Sequence, residues 1–362
     1  MSIIPRKILL YTHALTGGGA ERVWALLASE LSKRGHDVLF VTDFAASENI
    51  DFLSSHVRTL VLPRGHWNAV IGLSRLIKKE RPDVSISAIG VSNFKHVLAA
   101  IFAGSLKRTV ISMHGYFCSE PGTVSRLGNM LTPVMGRISA ATICVSDGLV
   151  DYYVRKWLLP RSKATRIYNP VMVALNRPPN LEQLEARAPV VLAVGRLVDY
   201  KNYPMLLHAF AKIKTKNATL KILGEGPDRA LIEALAIELG VFERVQLLGY
   251  QNSPWEFYKQ AKCFALPSNS ESFGNVVVEA LAQGLPVIAT KCHGPLEILI
   301  DSSLGTLVER GDSDAMALAI DAALAAPGNP APRVAHAQNF TSQTAAEAYE
   351  AVFERVIVKA AN

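Results

Sequence analysis

The sequence predicts an α/β protein built from two doubly wound parallel sheets, one in each half of the chain. Short apolar runs typical of buried strands alternate with helical patterns along nearly the whole sequence. This alternation favours parallel sheets that are covered by helices on both faces. The pattern breaks at Asn169 and Pro170 and restarts near Val190, and 362 residues are enough for two domains.

The apolar runs and the patterns between them predict the elements in chain order. Seven strands are expected in the first half, at residues 7–13, 38–42, 57–62, 84–88, 109–113, 141–145 and 166–168. Helices are expected between them, at residues 20–34, 68–80, 94–102 and from residue 147 onward. Six strands are expected in the second half, at residues 190–194, 220–223, 245–248, 263–266, 286–289 and 305–308. A helix over residues 342–359 closes the chain.

Composition excludes several classes of protein. Hydrophobic residues make up 49% and charged residues 19% of the chain, which is typical of a globular protein with a large core. The four cysteines lie far apart, which argues against a zinc or redox motif and favours reduced thiols in a cytosolic protein. We expect no signal peptide, and the longest apolar run, residues 97–103, is too short to span a bilayer.

The net charge of +7 is unevenly divided between the two halves. Residues 1–170 hold 21 basic and 11 acidic side chains, whereas the remainder holds 17 and 20. A half with a net charge of +10 suits nucleic acid, an anionic membrane or an anionic substrate. Nucleic acid is the weaker candidate, because aromatic residues are only 7% and form no stripe among the charges.

The stretch Ser268–Ala280 indicates a strand, a polar turn and then a helix that ends at Gly284. Glu271 lies in the turn and Glu279 lies on the helix, about two helical turns further along. The helix start between them offers backbone N–H groups to an anion, and each carboxylate can accept sugar hydroxyls. The pattern predicts a site for a phosphorylated sugar, and the alternative is a capped surface helix with two solvated glutamates.

Two further segments fit a phosphate ligand. Glycines 17–19 lie between a strand and a helix, so their backbone could approach a phosphate, although a flexible turn is the alternative. Arg196 and Lys201 follow the strand at residues 190–194, and ligands bind at the carboxyl edge of an open parallel sheet. Lys201 could instead simply start a surface helix.

Four pieces in this order resemble the retaining glycosyltransferases of the GT-B fold, in particular glycosyltransferase family 4, also called glycosyl transferases group 1. The pieces are G-G-G-A-E-R-V at residues 17–23, His114 with Gly115 at a strand end, G-R-L-V-D-Y-K-N at 195–202 and E-S-F-G-N-V-V-V-E at 271–279. The resemblance covers nearly the whole chain. It implies two Rossmann-like domains that face each other across a cleft.

The resemblance also implies that different parts of the chain bind the acceptor and the donor. Residues 1–170 would bind the acceptor, residues 171–188 would form the linker, and residues 189–341 would bind the donor. The helix at 342–362 would pack back on the first domain. The donor would be a nucleotide-diphosphate sugar, with UDP favoured over GDP, and no cofactor or metal ion would take part.

The implied catalytic residues are His114, Arg196, Lys201 and Glu271. The backbone carbonyl of His114 would face the anomeric carbon, both cations would bind the pyrophosphate, and Glu271 would bind sugar hydroxyls. Glu279 would hold the ribose hydroxyls. The other implied donor-binding residues are Gly18, Gly19, Gly195, Glu225, Tyr250, Phe273, Gly274, Asn275 and Val276. The sequence departs from the commonest family pattern at Ser272, Asn275 and Val276, which bears on the choice of donor.

The expected reaction is transfer of a hexosyl or N-acetylhexosaminyl unit to an acceptor hydroxyl by front-face displacement. The only D-x-D pattern, Asp312 to Asp314, is interpreted as a helix start rather than a metal site. A sugar-nucleotide epimerase and a non-catalytic nucleotide-sugar or nucleic-acid-binding protein remain alternatives.

The acceptor is expected to be a glycan or a lipid-linked sugar in surface polysaccharide synthesis. The basis is a basic segment at residues 155–166 that contains Trp157 and two leucines and would suit an anionic membrane surface. An ordinary helix end whose apolar residues face the core is the alternative. The expected location is cytoplasmic, with the option of a peripheral position on the inner face of the cytoplasmic membrane.

Overall fold

The computed structural model describes residues 4–15, 19–45, 49–116, 130–171 and 179–361. The chain divides into two compact units. Unit 1 comprises residues 1–171 together with 342–362, and unit 2 comprises residues 172–341. Glycines 17 and 18, Cys118 and residues 172–178 of the expected linker lie outside the described residues.

Unit 1 contains a seven-stranded sheet in which every pairing is parallel. Its strands are β1 (Lys7–Thr12), β2 (Asp37–Thr42), β3 (Arg58–Val61), β4 (Val84–Ala88), β5 (Thr109–Met113), β6 (Ala141–Cys144) and β7 (Ala164–Arg166). The spatial order is β3-β2-β1-β4-β5-β6-β7. Its first helices are α1 (Gly19–Lys33), α2 (His66–Glu80), α3 (Gly90–Ala103), α4 (Thr132–Ile138) and α5 (Asp147–Lys156).

Unit 2 contains a six-stranded parallel sheet. Its strands are β8 (Val190–Val194), β9 (Thr219–Leu223), β10 (Val245–Leu247), β11 (Cys263–Leu266), β12 (Val287–Thr290) and β13 (Gly305–Val308). The spatial order is β10-β9-β8-β11-β12-β13. Its helices are α6 (Leu181–Glu185), α7 (Tyr203–Lys212), α8 (Arg229–Glu238), α9 (Trp255–Gln260), α10 (Asn275–Ala282), α11 (His293–Ile298), α12 (Ser313–Ala325) and α13 (Ala331–Ala337).

The last helix, α14 (Ser342–Ala361), belongs to unit 1 although it follows unit 2 in the chain. Tyr349 and Phe353 are buried in the same core as the residues of α1 and β1. Two ion pairs support this packing, because Arg34 donates to Glu350 at 2.7 Å and Arg6 donates to Glu354 at 2.7 Å. The core of unit 1 is therefore built from both ends of the chain.

The central strands are buried on both faces, as their unbroken apolar sequences predict. The predicted fold class is confirmed, and most expected strands agree with the structure to within one or two residues. Helices α4 and α6 were not expected, and two of the expected elements are displaced. Helix α3 begins four residues earlier than expected, at Gly90, and β7 lies at residues 164–166 rather than 166–168. None of the helices in the described ranges is both long and apolar enough to cross a membrane.

Each sheet has one point where the strand order reverses. In unit 1 the chain moves outward from β1 to β2 and β3 and then returns to β4 on the other side of β1. In unit 2 the corresponding reversal lies between β8 and β11. The loops that leave such neighbouring strands diverge and open a crevice at the carboxyl edge of the sheet, where ligands of open α/β sheets bind.

Candidate functional site

The crevice of unit 2 brings together two predicted catalytic side chains that lie 70 residues apart in the chain. Lys201 follows β8 and Glu271 follows β11. The Lys201 ammonium donates to Glu271 Oε1, and the Ser268 hydroxyl donates to the same oxygen at 3.0 Å. Both charged side chains are largely buried. The two groups compensate each other at the floor of the crevice, where an unpaired charge would be costly.

Arg196 lies on the same loop as Lys201 but differs in its surroundings. Its side chain is exposed, and no hydrogen bond or ion pair involving it is found within the described part of the chain. The site therefore offers one cation that is held by a carboxylate and one that is available to an anionic ligand.

The start of α10 follows Glu271 directly. Gly274 has φ of +97°, a conformation that favours glycine, and the helix begins at Asn275. Phe273 is buried, and a Cβ atom on Gly294 would lie only 1.9 Å from the Phe273 carbonyl oxygen. This close approach fixes the turn, so that the first-turn amides of α10, including that of Val276, face the carboxyl edge with the positive end of the helix dipole.

Glu279 is also buried, on the same helix. Its Oε2 accepts a hydrogen bond of 2.8 Å from the hydroxyl of Tyr258, which is completely buried. Tyr258 belongs to α9, so a neighbouring helix holds this carboxylate. The two glutamates that the sequence singled out are thus both buried and hydrogen-bonded, and the alternative of a surface helix with two solvated glutamates is wrong.

The loops after β9 and β10 meet beside this crevice. Gly224 donates its N–H to the Gly249 carbonyl at 2.8 Å, and a Cβ atom on Gly224 would lie 1.9 Å from the Gly195 carbonyl oxygen. The Glu225 carboxylate accepts from Arg229 at 2.7 Å, and Tyr250 is exposed at the rim. Gly195, Glu225 and Tyr250 therefore line one continuous set of loops.

His114 lies in unit 1, after β5, and its protonation is set by its neighbours. Trp24 donates its indole N–H to Nε2 of His114 at 3.2 Å. An indole can only donate, so Nε2 must be the unprotonated nitrogen and Nδ1 carries the proton. Burial lowers the pKa of His114 to about 4, which keeps the ring neutral at physiological pH. Ser112 lies 3.0 Å from the same Nε2.

The Nδ1 of His114 is shielded from solvent and has no hydrogen-bond partner in the described part of the chain. A shielded N–H without an acceptor is unfavourable, and a ligand oxygen would satisfy it. The ring of His114 is therefore prepared to donate one hydrogen bond. Gly19 begins α1 in the same unit, and Gly18 lies outside the described residues.

The D-x-D pattern has a structural role. Asp312 caps α12 by accepting from the N–H of Ala315 at 2.9 Å, and Asp314 pairs with Lys212 at 2.8 Å. The interpretation as a helix start is confirmed. Among the described residues, no group of three or more histidine, cysteine or acidic side chains is arranged to hold a metal ion.

Sequence reasoning missed the residues that hold the predicted ones in place. Tyr258 supports Glu279, Ser268 supports Glu271, and Trp24 fixes the tautomer of His114. Tyr258 and Trp24 lie in ordinary helical patterns and carry no local signal. Ser268 is the first residue of the stretch Ser268–Ala280, and its spacing of three residues from Glu271 could have indicated the hydrogen bond between them.

Comparisons with known proteins identify the family of the chain. The profile of the family described as Glycosyltransferase Family 4 matches residues 17–175, and that of Glycosyl transferases group 1 matches residues 179–341. Together the two profiles span nearly all of both units.

Among similar sequences is the lipopolysaccharide core biosynthesis glycosyltransferase LpsE of Rhizobium meliloti, 28% identical over 85% of this chain and 86% of its own. Another is the N-acetylgalactosamine-N,N'-diacetylbacillosaminyl-diphospho-undecaprenol 4-alpha-N-acetylgalactosaminyltransferase of Campylobacter jejuni, 27% identical over 86% and 88%. Among solved structures, HepE from Anabaena in complex with UDP and glucose has a TM-score of 0.82 at 20% identity, covering 97% of this chain and 100% of its own. The chain therefore belongs to the GT-B glycosyltransferases, with a family 4 first half and a group 1 second half.

Proposed function

We propose that this glycosyltransferase moves a sugar from a nucleotide-diphosphate sugar to an acceptor hydroxyl, with retention at the anomeric carbon and without a metal ion. The observation that carries the proposal is the buried Lys201–Glu271 pair at the crevice of unit 2, beside the start of α10. A cation, a helix N-terminus and a buried carboxylate suit a ligand that carries phosphate at one end and hydroxyls at the other.

The charge of the leaving nucleotide diphosphate would be carried by Arg196, Lys201 and the first amides of α10, which include those of Asn275 and Val276. Preorganised donors of this kind stabilise charge that develops in the transition state. Donor binding would draw Lys201 from Glu271 toward the pyrophosphate. The freed carboxylate would then accept the sugar hydroxyls, and the Ser268 hydroxyl already holds it in place.

Glu279 would hold the ribose, with Tyr258 fixing its orientation. The rim residues Glu225 and Tyr250 would lie beside the base, and Gly19, Gly195, Phe273 and Gly274 would allow close backbone approach. His114 would donate from Nδ1 to an oxygen of the transferred sugar while its carbonyl faces the anomeric carbon. The leaving phosphate would accept the proton of the incoming hydroxyl in a front-face displacement.

Nucleotide release tests this proposal. The protein is mixed with a panel of UDP- and GDP-sugars, and free UDP or GDP is measured with and without glycan acceptors. We expect release of UDP, and we expect K201M to lower its rate about 100-fold. The matched control K212M breaks an exposed ion pair with Asp314 on the far side of α7 and should leave release unchanged. Release of neither nucleotide from any donor would overturn the assignment.

A lipid-linked or glycan acceptor in surface polysaccharide synthesis is proposed from two observations. The similar sequences from Rhizobium meliloti and Campylobacter jejuni carry names for lipopolysaccharide core synthesis and for a diphospho-undecaprenol substrate. In unit 1, Val134 and Ile138 are exposed one helical turn apart on α4, and Leu158 is exposed nearby among Lys156 and Arg161.

The basic segment at residues 155–166 divides into two parts. Leu159 is buried and Lys163 donates to the carbonyl of Ser139 at 2.7 Å, as expected of an ordinary helix end. Lys156, Arg161 and Leu158 remain exposed. These exposed residues, with the apolar face of α4, would form a small surface for an anionic membrane, which would give the enzyme a peripheral position.

A further inference from the structure

The crevice of unit 1, between β1 and β4, holds a cluster of titratable side chains that has no role so far. Asp43 follows β2 and accepts three hydrogen bonds. Tyr11 donates to Oδ1 at 2.8 Å, while His13 Nδ1 at 2.6 Å and the Lys95 ammonium donate to Oδ2. Lys95 is only 2% exposed, which is rare for a lysine.

The cluster keeps Asp43 ionised. Burial acts to raise the pKa of Asp43, but the hydrogen bonds from His13, Lys95 and Tyr11 outweigh burial and hold it below the usual range. A buried ion pair of this kind gives little net stability compared with apolar packing. Its effect here is geometric, because it holds the ring of His13 with Nδ1 turned inward.

The ring of His13 projects from this buried pair into solvent, with 42% of the side chain exposed. Phe44 lies edge-on to it at 4.9 Å between ring centres and is itself about half exposed. His66 lies on another side, with its ring nearly parallel at 6.5 Å. His13 follows β1, the first strand of its sheet, as Lys201 follows β8 in unit 2. Both strands lie beside the point where the strand order reverses.

The backbone at this crevice is strained. Ile89 links β4 to α3 and has φ of +73° and ψ of 144°, which is highly unusual for a β-branched residue. Such strain persists where the surrounding structure enforces it, and it concentrates at ligand sites. Ile89 directly precedes α3, the helix that carries Lys95.

The chemistry of the cluster favours a neutral, hydroxyl-bearing ligand over an anion. The Lys95 charge is compensated by Asp43, and burial together with Lys95 and His13 lowers the pKa of His66 and keeps that ring neutral. With Nδ1 held by Asp43, the His13 ring presents its Nε2 edge to solvent, where a sugar hydroxyl can donate to it or accept from it. Phe44 offers an apolar edge against which the C–H face of a sugar ring can pack.

We propose that His13 and Phe44, held by the Asp43–Lys95 pair, form a carbohydrate subsite on unit 1 that binds a sugar unit of the acceptor. His13 Nε2 forms a hydrogen bond with one sugar hydroxyl, and Phe44 packs on the sugar ring. His13 acts by binding and positioning, and the proposal rests on the function proposed above.

The binding test uses the full chain with isotope-labelled histidine side chains, followed by nuclear magnetic resonance. The probes are the methyl glycosides of glucose, galactose, N-acetylglucosamine and N-acetylgalactosamine, and inorganic phosphate serves as the anionic probe. We expect at least one glycoside to shift the ring signal of His13, assigned by its loss in H13Q, and not that of His56, an exposed histidine of the same unit. F44A should weaken the response at least 5-fold.

Two outcomes would overturn the subsite. A shift with phosphate and with none of the glycosides would identify an anion site. If no probe shifts the His13 signal, the cluster binds no ligand and serves only in packing. H13Q and F44A change partly exposed side chains and leave Asp43 and Lys95 intact, so a folding failure is not expected to mask the result.

A kinetic measurement separates this proposal from the proposed function. The ratio of sugar transferred to the responsive glycoside over sugar released to water is compared in wild type, H13Q and the control H56Q. We expect the ratio to fall at least 10-fold in H13Q alone, and an unchanged ratio would contradict the subsite. Absence of nucleotide release in wild type would instead overturn the proposed function, while the resonance titration would still decide whether His13 binds a sugar.

Discussion

Each of the two crevices holds a lysine paired with a carboxylate, but the two pairs differ in their exposure and in their neighbours. In unit 1, Lys95 and Asp43 are almost completely buried, and the carboxylate is saturated by three donors. In unit 2, Lys201 and Glu271 are slightly more exposed, and the exposed Arg196 lies on the same loop. We propose that the first pair stays closed and holds a neighbouring side chain, whereas the second pair opens for an anion.

The largest expected effect concerns the closed pair. K95M leaves the buried Asp43 without its cation, and removing one partner of a buried pair costs about 3–5 kcal/mol. Denaturant unfolding should show this loss of stability. K201M should cost clearly less, because solvent reaches that pair. Equal losses in the two variants would remove the distinction between the crevices.

A second effect separates the units by pH. His96 is completely buried between Ser85 and Ser87, and burial lowers its pKa to about 3. As the pH falls below about 6.5, His96 binds a proton in the unfolded chain but not in the folded chain. The stabilisation is therefore complete above pH 6.5, and about 3 kcal/mol of it is lost by pH 4.5.

Because His96 lies in unit 1, this unit should open first in acid. Hydrogen exchange read by mass spectrometry, followed from pH 7 to pH 4.5, can compare peptides of the two units directly. H96Q removes one of the histidines of unit 1 whose pKa is lowered by burial, another being His114. It should therefore reduce the pH dependence of unit 1 without abolishing it. Simultaneous opening of both units in wild type would contradict the assignment.

The open pair should matter chiefly for turnover. We expect K201M and R196A each to lower turnover about 100-fold, equivalent to about 2.7 kcal/mol, because each stabilises charge on the leaving group. Steady-state kinetics would check this, with K212M as the matched control. Wild-type turnover in a well-folded K201M protein would show that the crevice of unit 2 is not used in this way.

A smaller effect should separate the two glutamates of unit 2. E279Q should weaken UDP binding about 10-fold, since a hydrogen bond to a charged acceptor is lost, while the amide oxygen still accepts from Tyr258. E271Q should bind UDP almost normally and fail in sugar transfer. Calorimetry with UDP and GDP measures the first variant. Tight binding by E279Q would rule out the ribose role.

The smallest effect concerns the membrane surface of unit 1. The protein should sediment with anionic vesicles at low salt and be released as salt is added, with about 1 kcal/mol for each exposed cation near the surface. Charge reversal of Lys156 and Arg161 to glutamate should weaken binding. Reversal of Lys78 and Lys79 on α2, which are equally exposed, serves as the control. No sedimentation at low salt would favour an acceptor free in solution.

Sequence predicted the fold well because burial on both faces leaves a continuous apolar signal in the central strands. The exception was β7, an edge strand of three residues whose exposed Arg166 dilutes the signal. The order of strands could not be read locally, and it is this order that brings β8 beside β11.

Within the candidate site, the charged residues could be predicted from local motifs, but their pairing could not. Lys201 and Glu271 were each chosen from a local motif, and their contact spans 70 residues. The cluster around Asp43 was missed entirely, because its members come from three separate places in the chain and each is unremarkable alone. Tyr11 and His13 lie at or just after the end of β1, Asp43 follows β2, and Lys95 lies on α3. A contact between side chains that are distant in the chain produces no periodic pattern in the sequence, so local motifs cannot predict it.

The position of α14 has a consequence for how the chain is made. Tyr349 and Phe353 complete the core of unit 1, yet they are synthesised only after the whole of unit 2. During translation, the apolar core formed by α1 and β1 would lack its α14 side chains until α14 is made. All the helices and strands of unit 2 would already have been synthesised by then. The unit that is translated first would therefore be the last to reach its final stability.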